Sequence, residues 1–300
     1  MDRRTFLASG AAVAGSLSFL NAAAEDAKPA APAADKVPAG AFKNAKVKLS
    51  FPPGLIDGTF DEQIKRISEL GVPGYETLRP HAPFDETRKK TDALGLECSC
   101  IVGAGAISPG GMVNPDDHAK LVEDFKKNVE IATIIGCKRL VGLTGNTRTD
   151  ISPEEQTKHI VSCLKKLAPI AEQNKMTIVM EALNTLVDHK GYFLDRSALT
   201  FEILKAVSSP NVKMLFDVYH MQISEGNVIA NITKNIDSIG HFHVADNPGR
   251  HEPGTGELNY QNIFKAIAAT KYEGFVAMEF GALSDKESAV KAVLRCATWA

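Results

Sequence analysis

From residue 47 onward the sequence alternates short apolar runs with amphipathic stretches of ten residues or more, and it does so eight times. The apolar runs fall at 47–51, 72–78, 97–102, 139–143, 176–183, 212–219, 240–246 and 274–280. Helical patterns cover 59–70, 83–94, 118–135, 153–174, 197–207, 227–238, 259–269 and 284–298. Strands connected through helices of that length pair in parallel. Eight such units in roughly 250 residues predict a single (β/α)₈ TIM barrel, an α/β fold, over residues 46–300. Breakers stand at the joints (Gly71, Gly95, Gly136, Asn174, Gly240), and Pro153 follows Asp150-Ile151-Ser152 as the first-turn proline of its helix. An open doubly wound sheet would place a glycine-rich dinucleotide loop after the first strand. Here that position reads Pro52-Pro53-Gly54, which does not fit.

The first residues follow another logic. Arg3-Arg4-Thr5-Phe6-Leu7 precedes an uncharged, Ala/Gly/Ser-rich run too short to span a bilayer, and Ala22-Ala23-Ala24 offers a small-residue cleavage site. Residues 1–24 are expected to be a twin-arginine signal peptide, giving an exported, periplasmic protein with no membrane anchor after cleavage. Residues 25–45, rich in Ala, Pro and Lys, are expected to be a disordered linker. A formal charge of −2 leaves no basic footprint for nucleic acid. Five cysteines in 300 residues do not suggest a disulfide framework.

Strand periodicity then locates the chemistry. In 176–183, Thr177, Val179 and Glu181 share a face; in 212–219, Leu215 and Asp217 do; in 240–246, His241, His243 and Ala245; in 274–280, Phe275, Ala277 and Glu279. The opposite faces are wholly apolar, as required against the outer helices. Glu181, Asp217, His243 and Glu279 are therefore expected to point inward, late in four successive strands, where barrels keep their active sites. Three carboxylates brought together need a counter-charge. Their oxygen-rich set with one imidazole suits one divalent cation, Mg²⁺ or Mn²⁺.

Other polar residues near the mouth are expected to contact substrate. His220 lies three residues past Asp217, and Arg250 in the following loop could clamp a carboxylate. Asn184 and His189 follow the fifth strand, and Glu76 is inward and late in the second. His241, one layer below His243, reads as a core histidine. Glu257 reads as a helix cap near Asn259, with Glu252 a weaker substrate candidate. Cys98 and Cys100 read as small buried residues on one face.

The segments VMEALNTLVDHKGYFL, LFDVYHMQ, HFHVADNPGRHEPGTGELNY and FVAMEF resemble the xylose-isomerase-like barrels, and among them most closely the hydroxypyruvate isomerase family. The resemblance covers about residues 46–300. It implies that Glu181, Asp217, His243 and Glu279 are the metal positions, with Glu181 and Glu279 as the catalytic acid/base pair. It also implies interconversion of a 2-hydroxy carbonyl pair, such as hydroxypyruvate and tartronate semialdehyde, through an enediolate. His243 fits the superfamily's metal-dependent sugar epimerases equally well. A ketose 3-epimerase or polyol dehydratase on the same ligands thus stays open, as does an exported sugar-binding barrel without catalysis. The abasic-site endonuclease branch needs more metal ligands and a basic surface, and ranks low. The expected partner is a small sugar or hydroxy-keto acid, and a homo-oligomer stays open.

Overall fold

The computed structural model describes residues 36–299, so the expected signal peptide lies outside the described residues, as does the first part of the expected linker. The remainder of that linker, 36–45, is not disordered. It carries a one-turn 3-10 helix, Ala41–Asn44, and seats Val37 and Phe42 in the core. Gly40 N–H donates to Glu69 O at 2.7 Å, and the Phe42 ring meets Phe51 edge-on. Two apolar side chains among Ala, Pro and Lys are too few to register as periodicity, yet burying each contributes about 1.5–3 kcal/mol.

The described chain runs β1 (Lys48–Phe51), α1 (Phe60–Leu70), β2 (Gly74–Tyr75), α2 (Phe84–Ala93), β3 (Glu97–Cys98), β4 (Ile101–Ala104), α3 (His118–Ile135), β5 (Arg139–Gly142) and α4 (Pro153–Gln173). It continues with β6 (Thr177–Glu181), α5 (Ser197–Val207), β7 (Val212–Asp217), α6 (Val218–Ser224), α7 (Val228–Asn235), β8 (Ile239–Val244), α8 (Tyr260–Ala268), β9 (Phe275–Met278) and α9 (Lys286–Ala297). All sheet pairings are parallel. The strand order is β3-β2-β1-β9-β8-β7-β6-β5-β4. Its two ends, β3 and β4, are consecutive in the chain, separated by Ser99-Cys100. They are one stave in two pieces. Ser99 N–H donates to Tyr75 O at 2.9 Å and Val102 N–H to Leu78 O at 2.8 Å, drawing the ring nearly closed.

The break in that stave corrects one expectation. Cys98 packs in the layer between sheet and helices, while Cys100 joins Val141, Val179 and Leu215 in a separate small cluster inside the barrel. The unpaired Ser99-Cys100 link interrupts the two-residue alternation. The second strand is also shorter than expected. Pro73 has no N–H to give the ladder, and ordered pairing is confined to Gly74 and Tyr75. Glycine is required there, because a Cβ on residue 74 would lie 2.4 Å from the Phe275 ring.

The interior cluster settles the facing of the later strands. Val179 and Leu215 fill the barrel interior, so Glu181 and Asp217, two residues further on, point the same way. The seventh strand ends at Asp217 and not at 219 as expected. Asp217 Oδ1 accepts the N–H groups of Tyr219 at 2.8 Å and His220 at 3.3 Å, turning the chain at once into α6.

Candidate functional site

Barrel stagger, not sequence spacing, brings the four ends to one place. Glu181 pairs with Leu215, Asp217 with His243, and His243 with Ala277, so Glu279 follows two residues beyond. Ligand atoms of Glu181, Asp217, His243 and Glu279 all lie within 4.8 Å of one another. Three of the four side chains are buried, and that of Glu279 is 30 % exposed, toward the mouth. His243 Nδ1 stands 2.9 Å from Glu279 Oε2 and 3.3 Å from Glu181 Oε1.

The charges are uneven. Burial pushes the Glu181 carboxyl up to about 7, against the pull of His243. Burial acts on Glu279 too, but the charge of His243, and then Arg250, outweighs it and holds that carboxyl down at about 2. His243 itself rises well above the usual histidine range despite burial, because Glu279 and Glu76 flank it. Arg250 reaches in from the loop after β8, its Nη2 at 2.7 Å from Glu279 Oε2 and 3.3 Å from Asp217 Oδ2. Its backbone sits at φ 57, a strained region for a residue with a Cβ. Arg250, expected to clamp a substrate carboxylate, thus already contacts two carboxylates of the protein.

Glu76, expected to line the substrate wall, borders the cavity beside Pro52 and Phe60 and is 4 % exposed, its carboxylate turned to the histidines of β8. Its Oε1 is 2.8 Å from His243 Nε2. Its Oε2 is 2.7 Å from His241 Nε2 and accepts the Ser99 hydroxyl at 2.7 Å, which in turn accepts the Ser50 hydroxyl at 2.8 Å. Burial opposes the charge on Glu76, but His243 and His241 overcome it and keep the group well below the ordinary carboxyl range. His241 is buried as expected, though its Nδ1 has no partner among the described residues.

At the rim, His220 is fully buried, with Nε2 at 3.5 Å from Asp217 Oδ2. Burial pushes it down to about 4. Half-buried His189 packs against it with the rings tilted by 58° and their centroids 5.1 Å apart. Asn184, expected to face substrate, is buried and hydrogen-bonded to His220, to Asp188 and to the backbone of its own loop. Sequence reasoning passed over three residues. Asp188 collects Asn184 Nδ2 at 2.7 Å and the Tyr219 hydroxyl at 2.9 Å, and Tyr219 also lies under the Arg250 guanidinium. Asp246, fully buried, accepts N–H groups from Asn247, Gly254 and Leu258 and so shapes the loop that carries Arg250. Its position two residues beyond Val244, before a Gly/Pro-rich loop, is the one signal that could have found it. Glu252 accepts Leu283 N–H at 2.9 Å and joins two mouth loops. Asn259, not Glu257, caps α8; Glu257 accepts from Asn247 and Gln222.

The quartet fits a hard divalent cation. It offers three carboxylates and one imidazole in one small volume, and both ring nitrogens of His243 are buried without an aligned hydrogen-bond partner. Such a histidine binds through a nitrogen that gives up its proton, with Nδ1 on the quartet side. A second group, Glu76, Cys100 and His241, is also compact, but its carboxylate is already engaged by a hydroxyl and two imidazoles. Among the described residues no helix is long and apolar enough to cross a membrane.

The profile of the xylose isomerase-like TIM barrel family matches residues 64–298. The chain is 30% identical over 225 residues to 2-oxo-tetronate isomerase of Cupriavidus necator, covering 72% of this chain and 86% of that protein. It is 32% identical over 173 residues to hydroxypyruvate isomerase of Escherichia coli, covering 56% of this chain and 67% of that one. Among solved structures, an AP endonuclease, family 2, from Brucella melitensis superposes with a TM-score of 0.72 at 23% identity, over 81% of this chain and 96% of its own. That last likeness concerns the fold alone.

Proposed function

This chain belongs to the xylose isomerase-like TIM-barrel family, in its hydroxypyruvate isomerase branch, and from that premise we infer that it is a metal-assisted isomerase of a small 2-hydroxy carbonyl acid. The substrate class is that of hydroxypyruvate or a 2-oxo-tetronate, the compounds for which its relatives are named. The observation that carries the reading is the quartet of Glu181, Asp217, His243 and Glu279 within 4.8 Å at the C-terminal ends of β6 to β9.

The reaction moves one proton from a hydroxyl-bearing carbon to the neighbouring carbonyl carbon, and one between the two oxygens. Glu181 and Glu279 come from non-adjacent staves and face a common space beside His243 Nδ1. One serves as general base for the leaving carbon-bound proton, and the other returns a proton to the adjacent carbon, each contributing ~10²–10⁴-fold. A divalent cation, Mg²⁺ or Mn²⁺, held by the quartet would supply Lewis-acid stabilisation of the negative charge developing on the substrate oxygens. Arg250, at the rim, is paired with Asp217 and Glu279, and it would reach a substrate carboxylate only by exchanging one of those contacts for it.

Purified protein treated with EDTA and reloaded with Mn²⁺ is the direct test. Incubation with hydroxypyruvate in D₂O, followed by proton NMR, should yield product carrying deuterium at the former carbonyl carbon. No exchange with hydroxypyruvate, a 2-oxo-tetronate or a ketose would reject the enzymatic reading in favour of a receptor. Exchange confined to carbon 3 of a ketose would favour an epimerase on the same ligands. Export by the twin-arginine route belongs to the same proposal; recovery of a chain starting near Glu25 from the periplasm would support it, and a cytoplasmic chain starting at Met1 would reject it.

A further inference from the structure

The loop after β6 contains an arrangement whose hydrogen bonds leave no freedom. Asn184 is fully buried. Its Oδ1 accepts two main-chain N–H groups, from Val187 at 3.0 Å and Asp188 at 3.1 Å. Turning the amide over would set its NH₂ against those two donors and its oxygen against the Asp188 carboxylate, so the orientation is determined. Nδ2 must then spend its two protons on Asp188 Oδ2, at 2.7 Å, and on His220 Nδ1, at 2.7 Å. The Asn184 main-chain N–H also points at His220 Nδ1, from 3.3 Å. An Asn side chain has two donors and two acceptor sites, and all four are used inside the protein.

The consequence falls on His220. Its Nδ1 faces only donors, so it must offer a lone pair, and the ring proton resides on Nε2. That Nε2 has no hydrogen-bond partner among the described residues and lies 3.5 Å from Asp217 Oδ2, on the side of the quartet. The ring is packed between Tyr219 and His189, with centroids 5.2 and 5.1 Å away, so it cannot turn over cheaply. Asp188 completes the device from behind, held by the Tyr219 hydroxyl.

We propose that Asn184 is a positioning residue, not a substrate contact: it locks His220 as a neutral Nε2–H donor aimed at oxygen atoms in the quartet. A histidine so held cannot take up a proton at Nδ1 while Asn184 is in place, and Nε2 already carries one. His220 therefore contributes a fixed hydrogen bond, to Asp217 or to a substrate oxygen beside it, and takes no part in proton transfer. The inference rests on the quartet being the reaction centre, and the test separates the two.

The ¹⁵N NMR spectrum of metal-free, histidine-labelled protein reports the tautomer directly, with His220→Gln identifying the resonance. The expected wild-type ring has a bare Nδ1 and a protonated Nε2; a protonated Nδ1 overturns the inference even if the enzyme turns over normally. In Asn184→Asp combined with Asp188→Asn, which removes the opposing acid, the new carboxylate faces Nδ1 and should draw the proton there, lowering kcat about 10–100-fold, the usual effect of losing a histidine's orienting partner. An inverted ring with unchanged kcat, or a double variant whose ring keeps its wild-type signature, also overturns it. Should that variant fail to fold, activity of His220→Gln decides: glutamine keeps a neutral donor near Nε2, so it should retain more kcat than His220→Ala. Equal loss in both overturns the lock. If wild-type protein neither binds Mn²⁺ nor turns over, the functional reading fails while the tautomer measurement still stands.

Discussion

Two arcs of one barrel wall are built to different standards. From β6 to β9 the staves have five, six, six and four residues in ladder, and each carries a ligand of the quartet at, or one residue either side of, its last residue. From β1 to β3 they have four, two and two, and the third stave is broken before β4 resumes it. The first arc opens on a 520 Å³ cavity walled by Pro52, Phe60 and Pro83, and its one buried acid, Glu76, turns inward to the histidines of β8. A long paired strand fixes the direction of each Cβ, and so holds charges that repel one another at a set distance. A short one leaves its loops free to form a wall. The β1–β9 ladder joins the arcs along the wall, and the Glu76 carboxylate joins them again across the interior, at His241 and His243.

If chemistry belongs to the long arc alone, Glu181→Gln and Glu279→Gln should each reduce kcat by ~10²–10⁴-fold with an unchanged circular dichroism spectrum. Near-normal turnover in either would dissolve the distinction. The connection across the interior makes a different forecast. Glu76→Ala takes the buried carboxylate from two buried imidazoles, at a cost of about 3–5 kcal/mol by urea denaturation. A variant as stable as wild type would mean the short arc is only a lid.

Metal should stabilise the long arc by mass action. Mn²⁺ at a hundredfold excess over its Kd is expected to add ~2.7 kcal/mol to wild type and nothing to Asp217→Asn/Glu279→Gln, read as shifts in Tm against EDTA-treated protein. The smallest effect concerns pH in metal-free protein. Glu181 holds its proton in the fold up to about 7, above the ordinary 4.5. Its raised value favours the fold fully below about 4.5, and that contribution disappears as pH rises through 7. Urea midpoints in EDTA should therefore fall between about pH 4.5 and 7, and Glu181→Gln should flatten the slope. An unchanged slope would mean that burial does not hold the proton on Glu181.

Reading from the chain alone reached the barrel, the parity of the late strands and the four quartet residues, because a two-residue period is a local property and each of these strands is long enough to display it. It placed Glu76 on the inward face, but did not foresee its two imidazole partners. Whether an inward acid meets solvent or two imidazoles depends on β8, some 165 residues away. Asn184 shows the same boundary: its residue type suggests a pocket, and only the folded loop fills all four of its hydrogen-bonding positions.

Local pattern was therefore enough to say which residues could face the interior and that eight parallel units would close around it. The folded arrangement decided which of those residues share a proton, a charge or a metal, because that depends on the stagger of paired strands and on loops returning over the mouth. No window of neighbouring residues contains either one.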